Sequence, residues 1–227
     1  TLDFPLRGIW TALRTPAPGG PGHGTDFLGQ RHAYDFVRPT GRVWSPYGAS
    51  ALVHAYGLVP ATAFAAWDAP VLAAESGRVV VALDGWPDRR WMNAAWELAR
   101  LRFGGRIRPL HITSTNWRPL AGNYILLQGA AGITMYAHLR NGSICVRIGE
   151  EVSAGQILGT VGNSGRSSMP HLHFHLMDRP DGLQARGIPC VFRDLERRDG
   201  SNWVAEIGIP AARRCLRHVV PAPSRPR

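Results

Sequence analysis

The chain has little cysteine. Its 227 residues include three, Cys145, Cys190 and Cys215, too few for a disulfide scaffold and without the CxxC spacing of a zinc ribbon. Cys145 lies in an alternating apolar run and is expected in the core; Cys190 and Cys215 are the two that would pair in an exported protein. No apolar run approaches the ~18 residues of a membrane helix, so no transmembrane segment is expected. Thr1 is preceded by neither an initiator Met nor a signal peptide, as after removal of a leader or trimming. Internal repeats, low-complexity tracts and nucleic-acid motifs are lacking. Acidic residues are also sparse, 16 against 26 Lys and Arg, for a net charge of +10 and a pI near 10.8. Such a balance implies an anionic partner or surroundings, and nucleic acid and an anionic cell envelope both qualify. The basic residues, all Arg, are scattered rather than gathered on one helix, so no nucleic-acid partner is expected.

The most informative stretch is Met169-Pro170-His171-Leu172-His173-Phe174-His175-Leu176. It alternates as a half-buried strand does, with Leu172, Phe174 and Leu176 on one face and His171, His173 and His175 on the other. A single His is ordinarily a hydrogen-bonded core or surface residue. Three at strict two-residue spacing are hard to explain as packing, because each buried ring needs its own polar partner. Imidazole is the commonest metal ligand, and a strand fixes the direction and spacing of its rings. The pattern points to a metal site in which one ring is a ligand and another carries protons. A catalytic zinc site takes three protein ligands and keeps one position open. Candidates for the remaining ligands are His23, Asp26, His32, Asp35 and His138, with His54, His111 and His218 as outsiders.

Punctuation by Gly and Pro outlines the rest. Residues 16–22 read as a loop, 32–37 as a strand and 45–62 as a second loop. Strands are expected at 70–73, 77–83, 123–127, 133–139, 144–148, 156–161 and 187–193. Residues 91–103 have helical spacing with Asp88 as a plausible cap, inside an insertion at 86–118 that is a surface elaboration or a wall over a groove. The last residues, 221–227, read as a disordered basic tail. The fold class is mostly β, a compact antiparallel β-sandwich (a barrel-sandwich hybrid). Residues 1–227 read as a single domain with a core at about 20–180, the insertion, and a C-terminal extension at 181–227.

Taken together, HGT (His23 to Thr25), AYDF (Ala33 to Phe36), PVLAAESGRVV (Pro70 to Val80), YAHL (Tyr136 to Leu139), VRIGEEVSAGQILGTVGNSG (Val146 to Gly165) and PHLHF (Pro170 to Phe174) resemble the lysostaphin-like zinc endopeptidases, which cut peptidoglycan cross-bridges. The resemblance covers about residues 20–180, less the insertion, and it implies a β-sandwich with a groove across one sheet and zinc at its floor. It implies that His173 binds Zn2+ together with Asp35 and an early His, and that His171 and His138 stay off the metal as the catalytic pair. The common family spacing is His-x-x-x-Asp, yet Arg31 stands four before Asp35. His23 is chosen over His32 as the early His. On a strand, residues three apart point to opposite faces, whereas His23 sits on a loop flanked by Gly22 and Gly24 that can fold back. His175 departs from the family pattern and is expected beside the ligands or at the groove rim.

With no HExxH glutamate at hand, proton handling would fall to the imidazoles of His138 and His171. The expected function is zinc-dependent cleavage of peptidoglycan peptides by a monomer in the cell envelope or outside the cell. The alternatives are a non-catalytic cell-wall-binding or hydrolase-activating module of the same fold, and a His phosphocarrier. A biotinyl-type carrier is disfavoured because no Lys stands at a hairpin tip.

Overall fold

The computed structural model describes residues 1–20, 22–40, 57–93, 95–96, 112–113 and 116–219. The protein is mostly β and built of antiparallel sheets that do not close into a barrel among these residues. In chain order the strands are β1 (Ile9–Arg14), β2 (Tyr34–Val37), β3 (Val59–Pro60), β4 (Pro70–Leu72), β5 (Gly77–Leu83), β6 (Trp91–Met92), β7 (Asn123–Gly129) and β8 (Ile133–Leu139). They continue with β9 (Glu151–Val152), β10 (Ile157–Thr160), β11 (Leu172–Met177), β12 (Gly187–Ile188), β13 (Leu195–Asp199), β14 (Asn202–Ala205) and β15 (Cys215–His218). The main sheet runs β14-β13-β15-β1-β2-β11-β8-β7-β5-β9, with β12 added at β11. Smaller antiparallel pairs are β4 with β10 and β3 with β6.

The core lies between the main sheet and the β4–β10 pair. Phe36, Tyr136, Leu172 and Phe174 from the sheet meet Val71, Ala73, Leu158 and Val161 from the other layer. Its densest part is aromatic: Phe4, Tyr34, Phe36, Phe174 and Phe192 pack with centroids 5.1 to 5.8 Å apart. Such pairs add ~0.5–1.5 kcal/mol each beyond the burial of their area. This cluster lies directly beneath β2 and β11 and fixes both strands from below. A second cluster, including Leu28, Trp117, Tyr124, Met135 and Ala137, covers the opposite face. The His strand is therefore buried on both faces rather than one, because β11 sits between β2 and β8 with cover above and below.

Several expectations change at this point. The strand expected from residue 32 starts at Tyr34, and His32 ends a 3-10 segment, Phe27–His32. Residues 144–148 form no strand. Val146 turns inward and Cys145, on the opposite phase, is exposed instead of in the core. The segment expected at 187–193 stops at Ile188, where Pro189 has no N–H to continue the ladder. Cys190 and Cys215 are free thiols, and burial pushes the Cys190 thiol up to about 12. Trp91 and Met92 form strand β6 rather than the start of a helix; the residues after Trp96 in that expectation lie outside those described, as do His54, His111 and the 221–227 tail. Asp88 is no helix cap. Its carboxylate accepts the Asn163 N–H (2.7 Å) and the Asn141 N–H (2.8 Å), and so fastens the insertion to the turn after β10.

That turn is packed backbone to backbone. Gly165 has φ +69°, and a Cβ on it would stand 2.3 Å from the Gly122 nitrogen. Gly155 has φ +80° but open space around it. Alanine at Gly155 should cost about 1 kcal/mol, the left-handed strain alone, whereas alanine at Gly165 should cost ~2–4 kcal/mol because overpacking adds to it. Urea denaturation of the two variants checks the difference.

Candidate active site

Strand register accounts for the first two groups. Asp35 on β2 lies directly opposite His173 on β11, and directly opposed residues share a face. The Asp35 Oδ1 is 2.9 Å from His173 Nδ1. His23 arrives on a loop in which Gly24 adopts φ +69°, and its Nε2 lies 3.3 Å from Asp35 Oδ2. The loop is held down by the 3-10 segment that follows. Gly29 there approaches β11 so closely that a Cβ would stand 2.9 Å from Met177 Cβ.

The second pair is placed by a local irregularity. In a regular strand His138 would share the face of Tyr136 and enter the core. Its φ is +63°, which breaks the alternation and turns the ring to the groove side, where Ala137 also lines the wall. Leu139 then returns to the core. A left-handed residue other than glycine costs ~1–2 kcal/mol. Against this cost, Gly162 donates to the His138 carbonyl (3.0 Å), and His138 Nδ1 lies 2.9 Å from the Ser164 carbonyl. His171 Nδ1 lies 2.8 Å from the Met169 carbonyl, with Ser167 Oγ at 3.1 Å. A carbonyl only accepts, so both imidazoles carry a proton on Nδ1 and keep Nε2 for other chemistry. The two rings are 4.7 Å apart, and His138 is 5.9 Å from the His173 ring.

All of these side chains are at most slightly exposed, and they border a groove of about 380 Å³ that Arg14, Arg166 and Arg213 also line. Burial pushes the Asp35 carboxyl up, but the His171, His173 and His23 rings around it outweigh burial and hold Asp35 well below the usual carboxylate range. Burial lowers His138 strongly, and the neighbouring His171 and His173 lower it further. Burial also opposes charge on His171, yet the Asp35 carboxylate outweighs it and raises that ring. His173 is lowered, chiefly by burial. Asp35 is thus ionised, His138 neutral, and His171 the imidazole most ready to hold a second proton.

His23, Asp35 and His173 form a donor group whose ligand atoms all lie within 4.8 Å of one another. Two imidazoles and a carboxylate suit zinc, and the ligands of a tetrahedral site with ~2.1 Å bonds stand ~3.4 Å apart. His23 Nε2 is buried and makes no hydrogen bond, a cost that a metal bond at this nitrogen would remove. The residues present therefore fit the ion. The other candidates lie elsewhere: Asp26 pairs with Arg31 at 2.7 Å, and neither His32 nor His218 lines the groove. The reason for His32 differs from the sequence argument, since it precedes the strand altogether. The sequence gives no direct sign of Ser164, Ser167 and Met169, which hold the His138 and His171 imidazoles. Two of them act through main-chain carbonyls, which side-chain identity does not reveal. The one available signal was the glycine at 165, which marks a tight turn.

Residues 105–185 match the model of Peptidase family M23. The matched span includes His138, His171, His173 and His175 but not His23 or Asp35, which the geometry supplies. Peptidoglycan DD-endopeptidase ShyA of Vibrio cholerae is 41% identical over 98 residues, 42% of this chain and 22% of that protein. DD-carboxypeptidase/endopeptidase Mpg of Neisseria meningitidis is 41% identical over 86 residues, 37% of this chain and 19% of that protein. The chain thus aligns with about a fifth of these curated relatives. The catalytic domain of lysostaphin from Staphylococcus simulans matches in structure at 20% identity and a TM-score of 0.38, covering 82% of this chain and 87% of that one.

The donor group makes a direct prediction. His23→Ala should lower zinc content well below one ion per chain, and His32→Ala should leave it unchanged. Metal analysis of the two purified variants side by side checks this; the opposite pattern would move the early ligand to His32.

Proposed function

We propose that this protein is a zinc endopeptidase that cuts peptide cross-links of bacterial peptidoglycan, in the cell envelope or outside the cell, and that residues 1–227 form one peptidase domain. The observation that carries the reading is the His23–Asp35–His173 donor group beside two imidazoles whose Nδ1 atoms are pinned on carbonyls. The relatives' names support the substrate class. Continuity of β13, β14 and β15 with β1 in the main sheet supports the single domain.

In this reading His23, Asp35 and His173 hold the ion. When bound, zinc supplies Lewis acidity, making water a better acid and a peptide carbonyl a better electrophile. The chain's own residues do the rest. Neutral His138 offers the Nε2 lone pair and takes the proton from the attacking water. Its Nδ1–H stays on the Ser164 carbonyl, so the ring holds its orientation as it gains charge. His171, whose proton affinity the Asp35 carboxylate raises, can hold a second proton on Nε2 and present it to the developing negative oxygen, a donor of a kind worth ~3–4 kcal/mol in the barrier. The proton taken by His138 is then available to the leaving amine. Arg14, Arg166 and Arg213 give the groove positive charge suited to a peptide carrying carboxylates.

Digestion of purified peptidoglycan read by mass spectrometry tests the reading. Cross-linked fragments should be released by the zinc-loaded protein and not after chelation. Release that survives chelation, or none at all, would overturn it. Because the core is built without the metal, chelation should leave the far-ultraviolet circular dichroism nearly unchanged. His138→Ala and His171→Ala should each keep zinc and lose ~10²–10⁴-fold in kcat, the range for a lost acid–base group. Loss of zinc in either would make it a ligand rather than a proton carrier.

A further inference from the structure

The third imidazole of β11 has no part in the reading above. His175 is 1% exposed and lies on the same strand face as His171 and His173. Its Nδ1 is 3.0 Å from His173 Nε2, with the ring planes at 82°. Its far nitrogen, Nε2, is buried beside the Leu28 main chain.

A neutral imidazole has one N–H and one lone pair. Of the two facing nitrogens, His173 Nε2 and His175 Nδ1, one must therefore donate and the other accept. The choice fixes the opposite end of His173. If His175 donates, His173 Nε2 is the acceptor and the His173 proton lies on Nδ1, where it meets the Asp35 oxygen 2.9 Å away. If His175 accepts, the His173 proton lies on Nε2 and the Nδ1 lone pair faces Asp35 and His23. Only the second arrangement leaves His173 a ligand. It needs an acceptor at the position of His175 Nδ1, and the neutral ring with its own proton on Nε2 provides one. Protons number two in both arrangements, so the pair passes from one to the other without gaining or losing charge in a buried place.

We propose that His175 is a positioning residue of the metal site: it accepts a hydrogen bond from His173 Nε2–H and so selects the His173 tautomer whose Nδ1 lone pair can hold the ion. This rests on the reading that His23, Asp35 and His173 bind zinc. A ligand imidazole generally has its second nitrogen bonded to a carboxylate, a carbonyl or water, and loss of that partner typically costs ~10–100-fold in metal affinity. Here the partner is a second imidazole two residues further along the strand.

Zinc affinity measured by competition with a chelating indicator tests this without reference to turnover. His175→Phe keeps an aromatic ring and removes the acceptor; it should bind zinc ~10–100-fold more weakly. His175→Asn places an amide oxygen near the lost Nδ1 and should recover most of that loss. Equal affinity in the wild type and His175→Phe, with equal melting temperatures of the metal-free proteins, would overturn the proposal while leaving the metal site in place. A wild type that binds no zinc would overturn both. Nitrogen-15 NMR of the zinc-loaded wild type gives a second reading that needs no variant to fold. The His173 ring should show Nε2 protonated and Nδ1 bound, and the reverse assignment would overturn the proposal.

Discussion

The antiparallel pairing of β2 with β11 is the constraint on which the site depends. Asp35 meets His173 because Phe36 pairs with Leu172 and Tyr34 with Phe174, register positions held by aromatic rings on the core side. Side chains alternate strictly along a strand, so a slip of one residue would turn Asp35 into the core and Phe36 into the groove. The aromatic cluster makes such a slip costly, since every ring beneath would lose its neighbours. The packing that stabilises the sheet is thereby the same packing that sets the distance between the Asp35 carboxylate and the His173 ring. His23 is secondary to this: it completes the donor group by folding over an arrangement the sheet has already fixed.

The imidazoles of His138 and His171 depend on a different kind of support. His138 is in the groove only because its backbone leaves the strand conformation, and His171 keeps its direction through the carbonyl two residues before it. Ser164 joins the two halves of this support. Its hydroxyl donates to the Leu139 carbonyl (2.7 Å) and accepts the Asn123 N–H (2.9 Å), while its carbonyl receives the His138 ring. The turn carrying Ser164 is pressed on the Gly122 backbone and tied to Asp88. Local backbone strain at a site persists when the surroundings over-determine it, and at His138 the surroundings do so with main-chain and hydroxyl groups.

Much of this was legible in the sequence where periodicity is strong. β5 and β8 have the bounds that alternation indicated, and β11 was recognisable because apolar and His residues change places at every step. The flanking glycines marked the His23 loop as one able to fold back. What was not legible depends on non-local packing or on the backbone. Nothing in YAHL announces that His138 abandons the face of Tyr136, because the residue in the left-handed conformation is not a glycine. Alternation around Cys145 carries no phase of its own, and the contacts of Val146 supply it. Trp91 and Met92 have helical neighbours in sequence but pair with Val59 and Pro60, a partner that spacing within the segment cannot reveal.

Asp35 and His173 are separated by 138 residues of chain, and β15, close to the C-terminus, supports β1, the strand on the other side of β2. Contacts so distant in sequence are expensive to close and form late. A chain emerging from the ribosome holds His23 and Asp35 with no third donor to join them until His173 has been made. The donor group exists only once residues 172–177 have been made and have found β2. A chain assembled in this order lacks the full His23–Asp35–His173 group for as long as the residues between them remain unfolded.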